Sequence, residues 1–559
     1  MRNGVHPVII MMAALSAANA ALAAAPTVAL PAGAELAAKA IDRAALAGPI
    51  RFLADDLLEG RAPSHRGDAL ARLYVASEME SLGLQPGGPG GGWEQRFPLV
   101  GITTKAPESW TFRAGGHEVG LHFWDEFIAA SGVQAPNAAI ADAPLVFVGY
   151  GIQAPEYGWD DFKGADLKGK VLLMMNNDPD WDPALFAGSR RLYYGRWSYK
   201  YESAARAGAV GAIIFHTTPS AGYGWSVVQN SWTGEQFELP AGGEPRLQVR
   251  AWATEDATRR LLAVAGYDLD RLVAQARSRA FKPVDLGIRT SLALANTLSH
   301  GETANVLGLI PGSDPTLKDQ VVIFSAHHDH LGIGKPDAHG DTIYNGAVDN
   351  ATGVAQVLAI AKAAMALPER PRRSLLFAIV SCEESGLLGS AYYAAHPTFP
   401  AAKIAADINF DAGNIFGRTH DVALVGKGKS TLDAVAAAVA ALQGRTVTDE
   451  AFPDRGAYYR SDQFSFARIG VPGLYFKGGL EYVGREPGWG KKANEAWLKA
   501  HYHQPSDEFS EDWNFDGMIE DTQLGFLAGL VVAQADAMPA WLPGDEFAGL
   551  RAPASAGSK

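Results

Sequence analysis

Cysteine is almost absent: Cys382 is the only one in 559 residues. A single thiol excludes an intrachain disulfide and any zinc site built on cysteine, so a bound metal would have to be held by His, Asp and Glu. Cationic charge is also scarce. Lys and Arg number 48 against 61 Asp and Glu, the formal net charge is −13, and no basic run occurs. Neutralising phosphates requires clustered Lys and Arg, so a nucleic-acid partner is not expected. Long apolar runs are missing as well, apart from the N-terminal segment "MRNGVHPVIIMMAALSAANAALA". That segment pairs one Arg with an apolar stretch from Val8 to about Ala18 and small residues beyond, the pattern of a secretory signal peptide over residues 1–23. The chain is therefore expected to be exported, periplasmic or extracellular, with no membrane span in its mature part.

What remains is an ordinary globular composition, 47% hydrophobic and 19% charged, long enough for more than one domain. Apolar spacing predicts amphipathic helices over Ala34–Leu46 and Asp68–Leu82, the second with Leu70, Leu73 and Tyr74 on one face and Gly83 as its stop. From about Ser131 to Pro283 short strands such as Leu145–Tyr150, Val171–Met175 and Ala209–His216 alternate with aromatic, Gly- and Pro-rich loops. From about Asn305 strand and helix alternate, which predicts a mostly parallel sheet covered by helices on both faces, an α/β fold. Its strands are expected at Val321–Ser325, Leu375–Ser381, Ala405–Phe410 and Gly473–Phe476, with a helix at Ala351–Ala366 between the first two.

In such a sheet, ligands bind beyond the carboxyl ends of the strands. His327 and Asp329 of "SAHHDHLG" follow the first expected strand, Glu383 and Glu384 of "SCEESGLLGS" the second, and Asp411 of "DINFDAGN" the third. Asp349 of "GAVDNATGV" opens the intervening helix, and His503 of "HYHQPSDEF" closes a late loop. One edge thus collects two imidazoles and several carboxylates, an arrangement that calls for a cation. A catalytic zinc keeps about three protein ligands and an open position. Five candidates, His327, Asp349, Glu384, Asp411 and His503, are too many for one such ion. They suit two if Asp349 bridges. Glu383 is left without a metal and is expected to be the general base. Asp329, two residues from His327, is placed to hold its second ring nitrogen. His328, His330 and His339 are expected to be solvent-facing or structural, and Cys382 a small buried hydrophobe.

These motifs, in this order, resemble the co-catalytic zinc aminopeptidases, the group that also contains glutamate carboxypeptidase and the transferrin receptor. The stretch "FLADDLLEGRAPSHRGDALARLY" resembles the opening segment of bacterial members, and the central region resembles a protease-associated domain. The resemblance implies an α/β zinc-exopeptidase fold with a β-rich protease-associated insertion: residues 34–130 as the N-terminal part of the catalytic domain, 131–283 as the insert, 284–545 as the remainder. It implies two Zn2+ per chain, His327 and Asp411 on one, Glu384 and His503 on the other, and Asp349 between them. Glu383 would be the base, Asp329 would back His327, and Tyr502 would hydrogen-bond the scissile carbonyl. The expected activity is removal of N-terminal residues from peptide substrates, with Glu383 and Asp411, and beside them Asp462 of "YYRSDQF", as candidates for holding the substrate ammonium. Two rivals remain. A glutamate-type carboxypeptidase or dipeptidase would need basic residues to grip a carboxylate, for which Arg196, Arg455 and Arg460 are candidates. A non-catalytic binding protein on the same scaffold would be marked by lost ligands, and none of the candidates is missing.

Overall fold

The computed structural model describes residues 30–551, so the expected signal peptide lies outside the described residues. The sheet that positions the site is centred on Val321–His327. Ser374–Val380 lies parallel to it on one side and Ile404–Asn409 on the other, followed by Gly473–Gly478, also parallel. Antiparallel strands close both flanks: the end of Val284–Ile310 pairs with Ser374–Val380, and Asp421–Leu424 pairs with Gly473–Gly478. The three central strands are buried along their whole length, which explains their unbroken apolar runs.

Side chains alternate between the two faces of this sheet. Val322, Phe324, Leu375 and Phe377 pack into the larger core with the helices Thr352–Met365 and Asp516–Gln534, whereas Val321, Ile323, Leu376 and Ala378 meet Tyr393 and Phe466 on the other face. Among the described residues no helix is long and apolar enough to cross a membrane.

Two helices differ from their sequence expectation. Ala34–Leu46 is not continuous: Ala34–Ala38 ends, and a second helix runs Arg43–Leu53. The cause is Asp42, whose carboxylate accepts the backbone N–H of Ala45 at 2.8 Å and so caps a new start. The helix Arg66–Ser81 turns Asp68, Ala71, Arg72, Val75 and Met79 inward, leaving Leu73 64% exposed. A buried Asp68–Arg72 pair at 3.3 Å occupies the inner face that apolar spacing assigned to leucines.

One strand of 27 residues, Val284–Ile310, ties the molecule together. Its first part pairs with Asn137–Phe147 and Ser109–Ala114, its middle with Glu94–Lys105, and its end with the central sheet. Beside its first part lie the parallel strands Val171–Met174, Gly211–His216 and Val249–Thr254, with the helices Trp197–Arg206 and Glu255–Ala263. Phe127–Ser131 crosses the position expected to begin the insert and pairs with Val249–Ala253 inside it. The strand expected at Leu145–Tyr150 begins at Asn137 and stops at Phe147, where the chain turns through Gly149 at φ 60°.

Candidate active site

His327 is the last residue of the central strand, and the loop after it turns back beneath the neighbouring strand end. Asp329 does more than stand behind His327. Its carboxylate accepts the backbone N–H of Glu383 at 3.0 Å and of Glu384 at 3.3 Å, while its carbonyl lies 3.2 Å from His327 Nδ1. One buried aspartate thus ties the first strand's loop to the second's. Asp349 is presented from a turn before the helix Thr352–Met365, and its backbone N–H donates to Asp507 at 3.1 Å. Asn350 holds the third strand end: its amide donates to Phe410 and its carbonyl accepts from Ala412.

These elements bring the imidazoles and carboxylates to one place. Asp349 Oδ1 lies 3.4 Å from His327 Nε2, and its other oxygen, Oδ2, lies 3.4 Å from His503 Nε2. Glu384 Oε2 is 3.1 Å from the same His503 nitrogen. Glu383 Oε2 stands 4.0 Å from His327 Nε2, and His327, Glu383 and Asp411 offer ligand atoms all within 4.8 Å of one another. Asp411 is fixed through its carbonyl, which accepts from Lys477 Nζ at 2.5 Å.

The donor set fits a metal. His327 Nε2 and His503 Nε2 are buried polar atoms without a hydrogen-bond partner, and an orphaned buried donor or acceptor costs free energy unless something satisfies it. Imidazole nitrogens, carboxylate oxygens and no sulfur are a set that suits zinc. The electrostatics agree. Burial would lower the His503 imidazole, yet Glu384 and Asp349 outweigh it and raise it to about 10. Burial pushes Glu383 well above the usual carboxylate range, and Glu384, Asp411 and Asp462 push the same way against His327. Burial acts on Glu384 in the same sense, but His503 and His330 bring it down.

Several placements were not expected. Of the two expectations for His328 and His330, solvent-facing or structural, the first fails: both are buried. His330 Nδ1 sits 2.8 Å from Glu384 Oε1, so Glu384 lies between two imidazoles, and His328 Nε2 sits 2.8 Å from Asp68. Asp462 is fully buried with neither oxygen hydrogen-bonded, and burial raises it to about 7. It is not among the residues lining the cavity beside Glu383. Tyr502 does line the cavity, and Arg460 Nη2 donates to its hydroxyl at 3.2 Å.

Other residues of the site were missed in the sequence. Ser231, in the central region, has its hydroxyl 2.6 Å from His503 Nδ1, and Asn230 donates to the His503 carbonyl at 3.0 Å. Nothing in the sequence marks them, because they approach from about 270 residues away. Arg61 and Asp507 lie in stretches already singled out, "LLEGRAPSHRG" and "HYHQPSDEF". The buried Arg61 guanidinium donates to the carbonyls of His328, Asn345 and Gly346, linking the loop after His327 to the turn before Asp349. Burial lowers it to about 10, against the pull of Asp329, Asp507, Asp349 and Glu384. The Asp507 carboxylate accepts the N–H groups of Val348 and Asp349, and burial raises it to about 6.

Residues 305–527 match the family described as Peptidase family M28. The aminopeptidase NAALADL1 of Rattus norvegicus is 33% identical over 112 residues, 19% of this chain and 13% of that protein. The vacuolar membrane protease of Yarrowia lipolytica is 30% identical over 121 residues, 22% of this chain and 11% of that one. The matches thus span only about an eighth of these relatives' lengths. Among solved structures, an aminopeptidase from Aneurinibacillus sp. strain AM-1 superposes with a TM-score of 0.50 at 20% identity, covering 89% of this chain and 95% of that one, which shows a shared fold. The matched segment holds His327, Asp329, Asp349, Glu383, Glu384, Asp411 and His503, and over residues 305–527 the chain is similar to peptidase family M28.

Proposed function

We propose that this chain is an exported zinc exopeptidase that removes N-terminal residues from peptides at a two-zinc site. The observation that carries the reading is the division of Asp349 between two imidazoles, one oxygen toward His327 and one toward His503, with Glu383 standing free beside them. His327, Asp349 and Asp411 would hold one ion, and Asp349, Glu384 and His503 the other. Bound zinc supplies polarisation of a carbonyl and acidification of a water molecule. The remaining work falls to the chain. Glu383 takes the proton of the attacking water and delivers it to the leaving amine. Tyr502 donates a hydrogen bond to the scissile carbonyl. Asp329 holds His327 and the Glu383–Glu384 backbone in register, and Ser231 orients His503. Residues 131–283 act as a protease-associated type of insert that walls one side of the cleft.

A surplus of carboxylates in a low-dielectric cleft favours an ammonium, which supports attack from the amino end. Zinc-loaded protein should therefore hydrolyse aminoacyl anilides and reject their N-acetylated counterparts. Efficient cleavage of an N-acetylated peptide at its C-terminal residue, with no anilide hydrolysis, would replace this reading by the carboxypeptidase one. That second reading is kept because Arg196 and Arg460 line the cavity.

A further inference from the structure

The helix Trp225–Ser231 turns Val227 and Val228 inward and makes polar contacts on both sides. At its last turn Ser231 and Asn230 hold the ring and the carbonyl of His503. One turn back, the Trp225 indole N–H and the Gln229 amide donate to a single acceptor, the Trp124 carbonyl, at 2.8 and 2.9 Å. Both gripped residues have left-handed backbone, with φ 77° at Trp124 and 56° at His503. Such a conformer at a bulky side chain persists only where its surroundings over-determine it, so the helix secures two residues that would otherwise relax. Trp124 sits in the turn between the strands His117–His122 and Phe127–Ser131, and Lys335 Nζ stands 3.3 Å from the centroid of its ring. Lys335 lies in the loop of the hairpin formed by Gly332–Ile333 and Ile343–Tyr344, and its carbonyl accepts from the Tyr344 hydroxyl at 3.2 Å. That hairpin follows directly on His330, whose Nδ1 contacts Glu384. The contacts therefore close a ring: Glu384, His330, the hairpin, Trp124, the helix, His503 and Glu384 again.

Coupling between separated groups is carried by contiguous contacts, and Trp124 is where the helix and the hairpin meet. We propose that Trp124 is a positioning residue of the metal centre: its carbonyl anchors the helix from which Ser231 and Asn230 hold His503, so that zinc on the Glu384–His503 side and docking of the helix stabilise each other. The proposal rests on the two-zinc reading and goes beyond the part played by Ser231, since it gives control of one ion to a contact two steps away from its ligand. The other ion stands apart from this ring, because His327 and Asp411 are held by the Asp329 carbonyl and by Lys477. Docking and ion binding are linked reciprocally. Whatever the docked helix adds to the affinity for zinc, zinc adds to the docking.

Trp225→Phe combined with Gln229→Met removes both donors to Trp124 and keeps an aromatic ring and an unbranched side chain in their places. Metal-free, full-length protein titrated with zinc against a competing chelator should bind one ion about 10- to 100-fold more weakly in this double variant, the scale of two hydrogen bonds, and the other ion unchanged. In a Glu384→Gln background, which keeps only the first ion, the same substitutions should change nothing. A general loosening of the fold would weaken both ions alike. Lys335→Gln, at an exposed position, removes the cation from the other side of Trp124. It should lower the affinity for the same ion about two- to fivefold, and it decides the matter if the double variant does not fold. Hydrogen exchange reads the reverse direction: zinc should slow the helix amides in the parent and leave them unprotected in the variant. Equal affinity of both ions in variant and parent, or equal weakening of both, would overturn the positioning role of Trp124. A parent that holds one zinc ion would overturn the two-zinc reading instead, and helix exchange then decides the proposal: unslowed by zinc, it falls; slowed in the parent alone, it stands.

Discussion

Glu383 and Glu384 are neighbours with different surroundings. Glu384 lies between His503 and His330, whereas Glu383 has one imidazole, His327, at 4.0 Å and the carboxylates of Glu384, Asp411 and Asp462 around it. On the proposed reading Glu384 is a metal ligand and Glu383 the proton acceptor. Glu383→Gln should therefore keep the metal content and lower kcat by about 10²- to 10⁴-fold. Glu384→Gln should lower metal occupancy, read by elemental analysis. The opposite phenotypes would reverse the assignment. His327, Asp349, Glu383, Glu384 and Asp411 stood out because each sits just past a strand or before a helix start, a position that periodicity reveals, whereas His503 follows the end of the helix Trp489–His501. His330 was not legible, because two histidines flanking a ligand look alike in sequence, and only the turn after His327 decides which one reaches Glu384.

At the scale of elements, the apolar runs identified the central strands to within one or two residues, since strands buried on both faces must be continuously apolar. The first helices were read less well. Asp42 interrupts one by capping, and Asp68 and Arg72 replace apolar residues on the inner face of the other because they serve His328 and each other. The short helix Trp225–Ser231 was invisible in its role: it ends on the residue that holds His503. Removing that hydroxyl frees the ring to turn. Ser231→Ala should weaken zinc binding about 10- to 100-fold, as loss of a ligand's outer partner does, and leave the melting temperature of the metal-free protein nearly unchanged. A competitive chelator titration measures this, and equal affinity in the variant and the parent would remove Ser231 from the site.

In the whole molecule, two sheets share the strand Val284–Ile310, so the central region is continuous with the peptidase sheet and is not tethered by a loose linker. This continuity was hidden in the sequence because the strand's first part alternates exposed and buried residues, its middle is mostly exposed and only its end, from Thr303, is buried, which reads as separate elements. Its consequence is that Ser231 and Arg196 face the metal-ligating edge from a region that contains no ligand itself. The central claim is that this edge is a two-zinc centre bridged by Asp349. Metal-free protein titrated with zinc, with bound metal counted by elemental analysis and anilide hydrolysis followed at each step, tests it most directly. Activity should reach its plateau at two zinc ions per chain, and Asp349→Ala should hold fewer than two and be inactive; full activity at one zinc per chain, or two ions retained in Asp349→Ala, would contradict the account.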